Sequence, residues 1–432
     1  MTRTFRNVTI AHPLQQHSYH LAEAIESTGA LLRYYTTVYY KGERPIYRIL
    51  DRCLPTDAAN RMHGRTNAAI EPRVRAFHTV LGVVYLLAIR IDHNKIAEPI
   101  LYQLLVRLFG RRVAKDLRHD SSASCLVMYD TTAYECFRQM HRYRPDILRI
   151  LDMSSAPAEL IRETLIQELA MREPFRQSVR VKLRSYTERR CRRYMHELAL
   201  AHHILVPSTF VLESLVAVGV PREKLTLCPY GVDFRSTSIA ERRRPVGTRP
   251  MRFLFVGRVE AAKGIHYLLE AFSRFDPNLC SLTVVGSIEC HPEDLDKYRS
   301  SVTFTGPLGR EGVLAAYGAA DVYVMPSLFE GLSLTILEAM SAGLPVIAST
   351  RSAGADLITD GVEGFVVEAG SSTALTETVS WALDHPEDMA LMGHRAALVA
   401  RNFTWGHYSR RVNTAFEAFT ASGRGGEPHE RP

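Results

Sequence analysis

Several protein classes are excluded by what this chain lacks. No run approaches the roughly 20 apolar residues that a spanning helix needs. The longest candidate, Val80 to Ile91, is about half that and is followed by Asp92 and His93. The opening MTRTFRNVTIAHPLQQ has no apolar signal core, so a cytoplasmic protein is expected, peripheral at the inner face of a membrane at most. The seven cysteines are scattered, odd in number and form no C-x-x-C. That pattern argues against a disulfide framework or a metal cage and fits a reducing compartment. Zinc-finger spacing and an aromatic-basic RNA-binding signature are both missing, so no nucleic-acid partner is expected. The first strand–turn also lacks the G-x-G-x-x-G of a dinucleotide binder.

What is present describes a globular protein with room for two domains. The chain has 432 residues, 46% of them apolar and 23% charged, too many for one ordinary core. A net charge of +7 points to an acidic partner or an anionic surface. The most informative stretch is Asp321 to Thr350. Val322 to Met325, closed by Pro326-Ser327, reads as a buried parallel strand. Ser333 is placed to cap a helix through Leu334, Leu337 and Met340, ended by Gly343 and Pro345. Val346 to Ala348 is the next strand. The loop of such a unit lies at the carboxyl end of a strand, where open α/β sheets bind ligands.

Two carboxylates sit in this unit, Glu330 in the loop and Glu338 in the helix, with seven residues between them. Two readings fit the spacing: a turn residue and a solvated helix residue, or a pair accepting hydrogen bonds from sugar and ribose hydroxyls. Upstream, Arg252 to Val256 forms a strand ending at Gly257, with Arg258 next and Lys263-Gly264 opening a helix. Cations at a strand end and a helix N-terminus can cradle a diphosphate; Lys263 as an ordinary surface lysine is the plainer alternative.

Glu330 to Glu338 and the following AMSAGLPV resemble the E-x7-E signature of the family 4 retaining glycosyltransferases. The resemblance extends over residues 251–405 and, more loosely, 197–235. It includes Gly257-Arg258…Lys263-Gly264, similar to the family's G-R-x-x-x-x-K-G, and Pro229-Tyr230-Gly231-Val232-Asp233, similar to its P-x-G-V-D. It implies an α/β protein of GT-B architecture, two Rossmann-like domains facing across an interdomain cleft. Residues 1–240 would form the acceptor-side domain, completed by a C-terminal helix at 405–420. Residues 251–402 would bind the nucleotide-sugar, 235–250 would be the hinge and 421–432 a disordered tail. It also implies roles. Arg258 and Lys263 hold the diphosphate beside Gly257, Glu330 sits at the sugar with the N–H groups of Gly331, Leu332 and Ser333, and Glu338 binds the ribose. Glu330, Arg258 and Lys263 are then the catalytic group. No metal or other cofactor is implied, since no D-x-D pair ends a strand and the cations supply the charge.

The N-terminal half departs from that pattern. Where many relatives have a glycine-rich loop after the first strand, His12, Gln15, His17 and His20 stand. No histidine occurs between His141 and His196, where many relatives place one beside the sugar. His12, His17, His20, Asp152 and Ser154 are therefore candidates for the acceptor side of the cleft, with turn and cap roles as the alternative for the histidines. Ile96 to Lys115 is amphipathic, with Ile96, Ile100, Leu104 and Leu108 on one side and Arg107, Arg111, Arg112 and Lys115 on another. It reads either as a core-facing helix or as one lying on an anionic membrane surface. Val181 to Tyr194 is a basic helical stretch. The expected function is retaining transfer of a sugar from a nucleotide-sugar donor to a glycan or lipid-linked acceptor, in cell-envelope polysaccharide or glycolipid synthesis. A non-catalytic nucleotide-sugar-binding protein and a GT-B epimerase or phosphorylase are the alternatives.

Overall fold

The computed structural model describes residues 6–15, 17–43, 45–53, 56–92, 96–171, 175–233, 247–291 and 293–422. Two all-parallel sheets organise it. The first contains β1 (Val8–Ala11), β2 (Leu31–Thr36), β3 (Val74–Ala76), β4 (Cys125–Tyr129), β5 (Leu148–Asp152), β6 (His203–Val206) and β7 (Leu225–Leu227), in the order β3-β2-β1-β4-β5-β6-β7. The second contains β8 (Met251–Val256), β9 (Cys280–Val285), β10 (Val302–Gly306), β11 (Val322–Met325), β12 (Val346–Ser349) and β13 (Gly364–Val367), in the order β10-β9-β8-β11-β12-β13. β1, β4, β11 and β12 are buried along their whole length. That is the condition of strands covered by helices on both faces, and it explains why their sequences run apolar without alternation.

In each sheet the strand order reverses beside the first strand, between β1 and β4 and between β8 and β11. The crevice at the carboxyl ends of such a pair is where open α/β sheets take ligands. The helix expected after β11 spans Leu334–Ser341, and Gly343 (φ 73°) takes the left-handed conformation that ends it. The first sheet thus uses residues 8–227 and the second 251–367. Residues 234–246, most of the expected hinge, lie outside the described residues.

The C-terminal helix Trp405–Ser422 packs on the helix Ser18–Glu26 of the first domain. His20 stacks on Trp405 at 3.6 Å between ring centroids, and His203 on Phe419 at 4.1 Å. At the start of this return the Val232 N–H donates to Phe403 O at 2.8 Å. The helix runs to Ser422, so the tail expected from 421 begins inside it; residues 423–432 lie outside the described residues.

The basic stretch 181–194 is not one helix. It is split between Arg176–Leu183 and Glu188–Leu200. The N–H groups of Ser185 and Tyr186 turn back onto Lys182 and Leu183, and Thr187 is extended (φ −69°, ψ 154°). Arginine stands on both sides of the break, at 184 and 189, while the break itself is Ser185-Tyr186-Thr187.

Candidate active site

β8 and β11 are bonded neighbours, with Val322 opposite Phe253 and Tyr323 opposite Leu254. The segments leaving their carboxyl ends therefore run side by side. Gly257-Arg258 leaves β8, and Pro326 to Gly331 leaves β11. Gly264 (φ 65°) starts the helix Ile265–Phe272, and a Cβ there would run into Pro326 O. Only glycine both takes that conformation and lets the helix end seat on the β11 loop.

Lys263, one residue earlier, makes an ion pair with Glu330, the two side chains being 15% and 20% exposed. Ser327 Oγ donates to the same carboxylate oxygen at 3.3 Å. Arg258 pairs with Glu260 Oε1 at 2.9 Å, and Lys182 of the first domain donates to Glu260 Oε2 at 3.0 Å. Burial alone would raise the pKa of Glu260, but Lys182 and Arg258 outweigh it and hold the carboxyl at about 2. Glu260 in turn raises the pKa of Arg258, with Glu289 and Glu330 adding to the effect. Arg258, Lys263 and Glu330 thus belong to one cluster of alternating charges at the reversal point of the second sheet.

Glu338 stands one helix further on. Its carboxylate accepts from Tyr317 Oη at 3.0 Å. Burial raises its pKa, and the nearby Arg310 opposes that rise. Arg310 pairs at 3.4 Å with Asp233, which ends the P-x-G-V-D segment. No hydrogen bond or ion pair among the described residues joins Glu338 to the other three. Ser333 occupies the N-cap position but makes no side-chain cap bond; its Oγ lies 2.9 Å from Thr335 Oγ1 instead.

Gly331 is where this loop meets the first domain. A Cβ on it would collide with Ser154 O, and Ser208 Oγ donates to Gly331 O at 2.6 Å. The carboxylate of Asp356 caps Thr209 N at 2.9 Å. Deeper in the interface Glu168 accepts from Tyr267 Oη at 2.7 Å and lies 2.9 Å from His266 Nε2.

The expected acceptor-side residues have separate settings. His17 Nε2 and Asp152 Oδ2 are 2.9 Å apart, both buried, with the His17 ring 4.1 Å from that of Tyr230. His12 is buried and its Nδ1 accepts from Leu14 N; burial lowers its pKa to about 4, so the ring is neutral near pH 7. His20 turns to Trp405 rather than to the crevice. Ser154 donates from N and Oγ to Asp130 Oδ1, at 3.1 and 2.8 Å. Asp130, whose pKa burial lifts to about 6, sits just past the end of β4.

The sequence reading passed over Glu260, Lys182 and Asp130. For Glu260 a signal existed, an acid set between Arg258 and Lys263. Lys182 is tied to it from 78 residues away, and nothing local announces that. Among the described residues no group of three or more histidine, cysteine, aspartate or glutamate side chains is placed to hold a metal ion.

Two parallel-sheet α/β domains, touching where the loop after β11 meets the segments after β5 and β6, define a GT-B fold. Sucrose-phosphate synthase from Thermosynechococcus elongatus superposes with a TM-score of 0.64 at 18% identity, over 97% of this chain and 100% of that one. The Anabaena protein HepE in complex with UDP-glucose superposes with a TM-score of 0.60 at 13% identity, over 95% and 99%. In sequence, residues 250–385 match the family described as Glycosyl transferases group 1. D-inositol 3-phosphate glycosyltransferase of Corynebacterium efficiens is 27% identical over 227 residues, 49% of this chain and 53% of that protein. Sulfoquinovosyl transferase SQD2 of Arabidopsis thaliana is 29% identical over 226 residues, 49% and 43%. The chain spans about half the length of the curated relatives it matches.

Proposed function

We propose that this protein is a retaining, metal-independent glycosyltransferase that moves a sugar from a nucleotide donor to a glycan or lipid-linked acceptor. The observation that carries the reading is the gathering of Arg258, Lys263 and Glu330 at the reversal point of the second sheet, beside the Gly331–Ser154 contact between domains. Arg258 and Lys263 take the donor diphosphate, with Gly257 allowing close approach. They neutralise the charge that builds as the sugar–oxygen bond breaks and its electron pair passes to the phosphate. That phosphate oxygen then takes the acceptor's proton on the same face of the sugar, where the new bond forms. Glu330 and the N–H groups of Gly331, Leu332 and Ser333 hold the sugar; Glu338 holds the ribose. A UDP-glucose complex of the fold relative HepE supports a nucleotide-sugar donor.

The acceptor enters from the first domain, past Ser154 and the buried His17–Asp152 pair. The amphipathic helix Glu98–Arg118 rests on an anionic membrane surface at the cytoplasmic face, where cell-envelope polysaccharide or glycolipid is assembled. No helix among the described residues is long and apolar enough to cross a membrane. The test is a screen of UDP-, GDP- and ADP-sugars for binding and slow hydrolysis, with wild type and Glu330→Ala. Binding and hydrolysis of one donor, with hydrolysis lost in the variant, is expected. If no donor binds, the donor assignment falls; if hydrolysis survives unchanged, the role of Glu330 falls.

A further inference from the structure

A strongly basic hollow lies away from the crevice, where the helices Glu98–Arg118, Tyr134–Tyr143 and Glu188–Leu200 meet. It is a cavity of about 340 Å³ lined by Arg107, Arg138, Arg189, Arg192 and Arg193. Tyr134 and His196, nearly parallel with centroids 5.8 Å apart, supply its flat wall. The one acid in the lining is Glu135, whose side chain is 6% exposed. Four guanidinium groups crowd it: Arg138 at 3.5 Å, Arg111 at 3.6 Å, Arg107 at 3.7 Å and Arg193 at 3.8 Å.

A single carboxylate cannot neutralise those four cations and the two further arginines of the lining. Nor does it satisfy their donors, since Arg107 Nε is buried without a hydrogen bond. Both charge and unused N–H groups favour a second, multivalent anion. Planar guanidinium groups converging on one space suit phosphate oxygens.

The surroundings select where that phosphate comes from. On the Arg107 side, one and two turns earlier in the same helix, Leu104 and Ile100 are 44% and 68% exposed. The neighbouring helix Thr79–Ile91 adds Val80 and Val84, 66% and 43% exposed. Apolar side chains running into a cluster of arginines form the pattern of a helix seated in a lipid interface. A freely soluble phosphate would give those apolar residues nothing to cover. Arg193 also lines a smaller hollow, of about 70 Å³, together with Tyr186 and Arg190. The two hollows thus share Arg193 as a common wall.

We infer that the larger hollow binds the phosphate or pyrophosphate headgroup of a membrane lipid, with Ile100 and Leu104 set among the acyl chains. The inference rests on the lipid-linked acceptor proposed above and gives that acceptor its anchoring site. Vesicle flotation tests it, with phosphatidylcholine alone and with added phosphatidic acid, alongside calorimetric titration with inorganic pyrophosphate. Wild type should float only with phosphatidic acid present. Arg189→Ala/Arg192→Ala should lower the bound fraction about tenfold or more. Ile100→Ser/Leu104→Ser should abolish flotation while pyrophosphate still binds. Circular dichroism and melting temperature check that each variant is folded. Equal flotation on neutral vesicles overturns the inference, as does a charge variant that floats like wild type. Pyrophosphate binding without flotation also overturns it, since the ligand would then be a soluble one. Donor hydrolysis needs only the crevice and separates the two readings. Hydrolysis without flotation sinks the lipid site alone, and flotation without donor binding sinks the transferase reading alone.

Discussion

Lys263 and Glu330, 67 residues apart in sequence, are joined by an ion pair where the loops of β8 and β11 run side by side. The cation assigned to the donor phosphate and the acid assigned to the sugar thus hold one another. Lys263→Ala should lower donor turnover about ten- to a hundredfold, the size of one charge-assisted contact. Steady-state kinetics of nucleoside diphosphate release would measure it. The double variant with Glu330→Ala should lose less than the sum of the single losses, because each single change strands the other's charge.

The Glu260 carboxylate competes with any diphosphate for Arg258. Glu260→Gln should therefore tighten UDP binding and steepen its dependence on salt. Turnover should fall in the same variant, because Arg258 and Lys182 lose the group that fixes them. Equilibrium dialysis of UDP and turnover measured on one preparation would reveal opposite signs. A loss in both would mean that Glu260 is only structural.

Gly331 and Ser208 join the halves of the molecule. Ser208→Ala strands the buried carbonyl of Gly331 and should cost roughly 1–3 kcal/mol in denaturant unfolding. Gly331→Ala forces the loop off Ser154 and should reduce turnover far more than UDP affinity, if the donor is held as proposed by the second domain.

Glu197 gives the protein a pH dependence of definite sign. Burial lifts its pKa from 4.5 to about 8, against the N–H donors of Tyr134 and Thr131. Between those values the unfolded chain has released the proton and the folded protein keeps it. Stability from this group is thus fully present below 4.5, falls as pH rises and is lost by about 8. Glu197→Gln should flatten that decline. Unfolding midpoints at pH values of about 5, 7 and 9 for both proteins would show it.

The strand–loop–helix–strand unit at 321–350 was legible because each signal is local: an apolar run, a breaker, a cap position and a stop glycine. The two-domain α/β plan was legible for the same reason. The pairing of Lys263 with Glu330 required the strand order, which places β11 next to β8 although two strands intervene in sequence. His17 and Asp152, 135 residues apart, met only once β1 and β5 had been placed. The helix break before Thr187 was masked by the arginines on either side of it, although Ser185-Tyr186-Thr187 between them carries no base.

The outgoing and returning passages of the chain lie against each other at Val232 and Phe403, where Gly231 leaves no room for a Cβ beside Thr404. Two passages pinned at one spot work like the rivet of a pair of tongs. The rivet shares the load with the ties at Gly331, Thr209, Glu168 and Glu260, so the halves are held at both ends of their seam. For the same reason a cut after Asn402 would not release the second domain cleanly, since it would also remove the helix that closes the first.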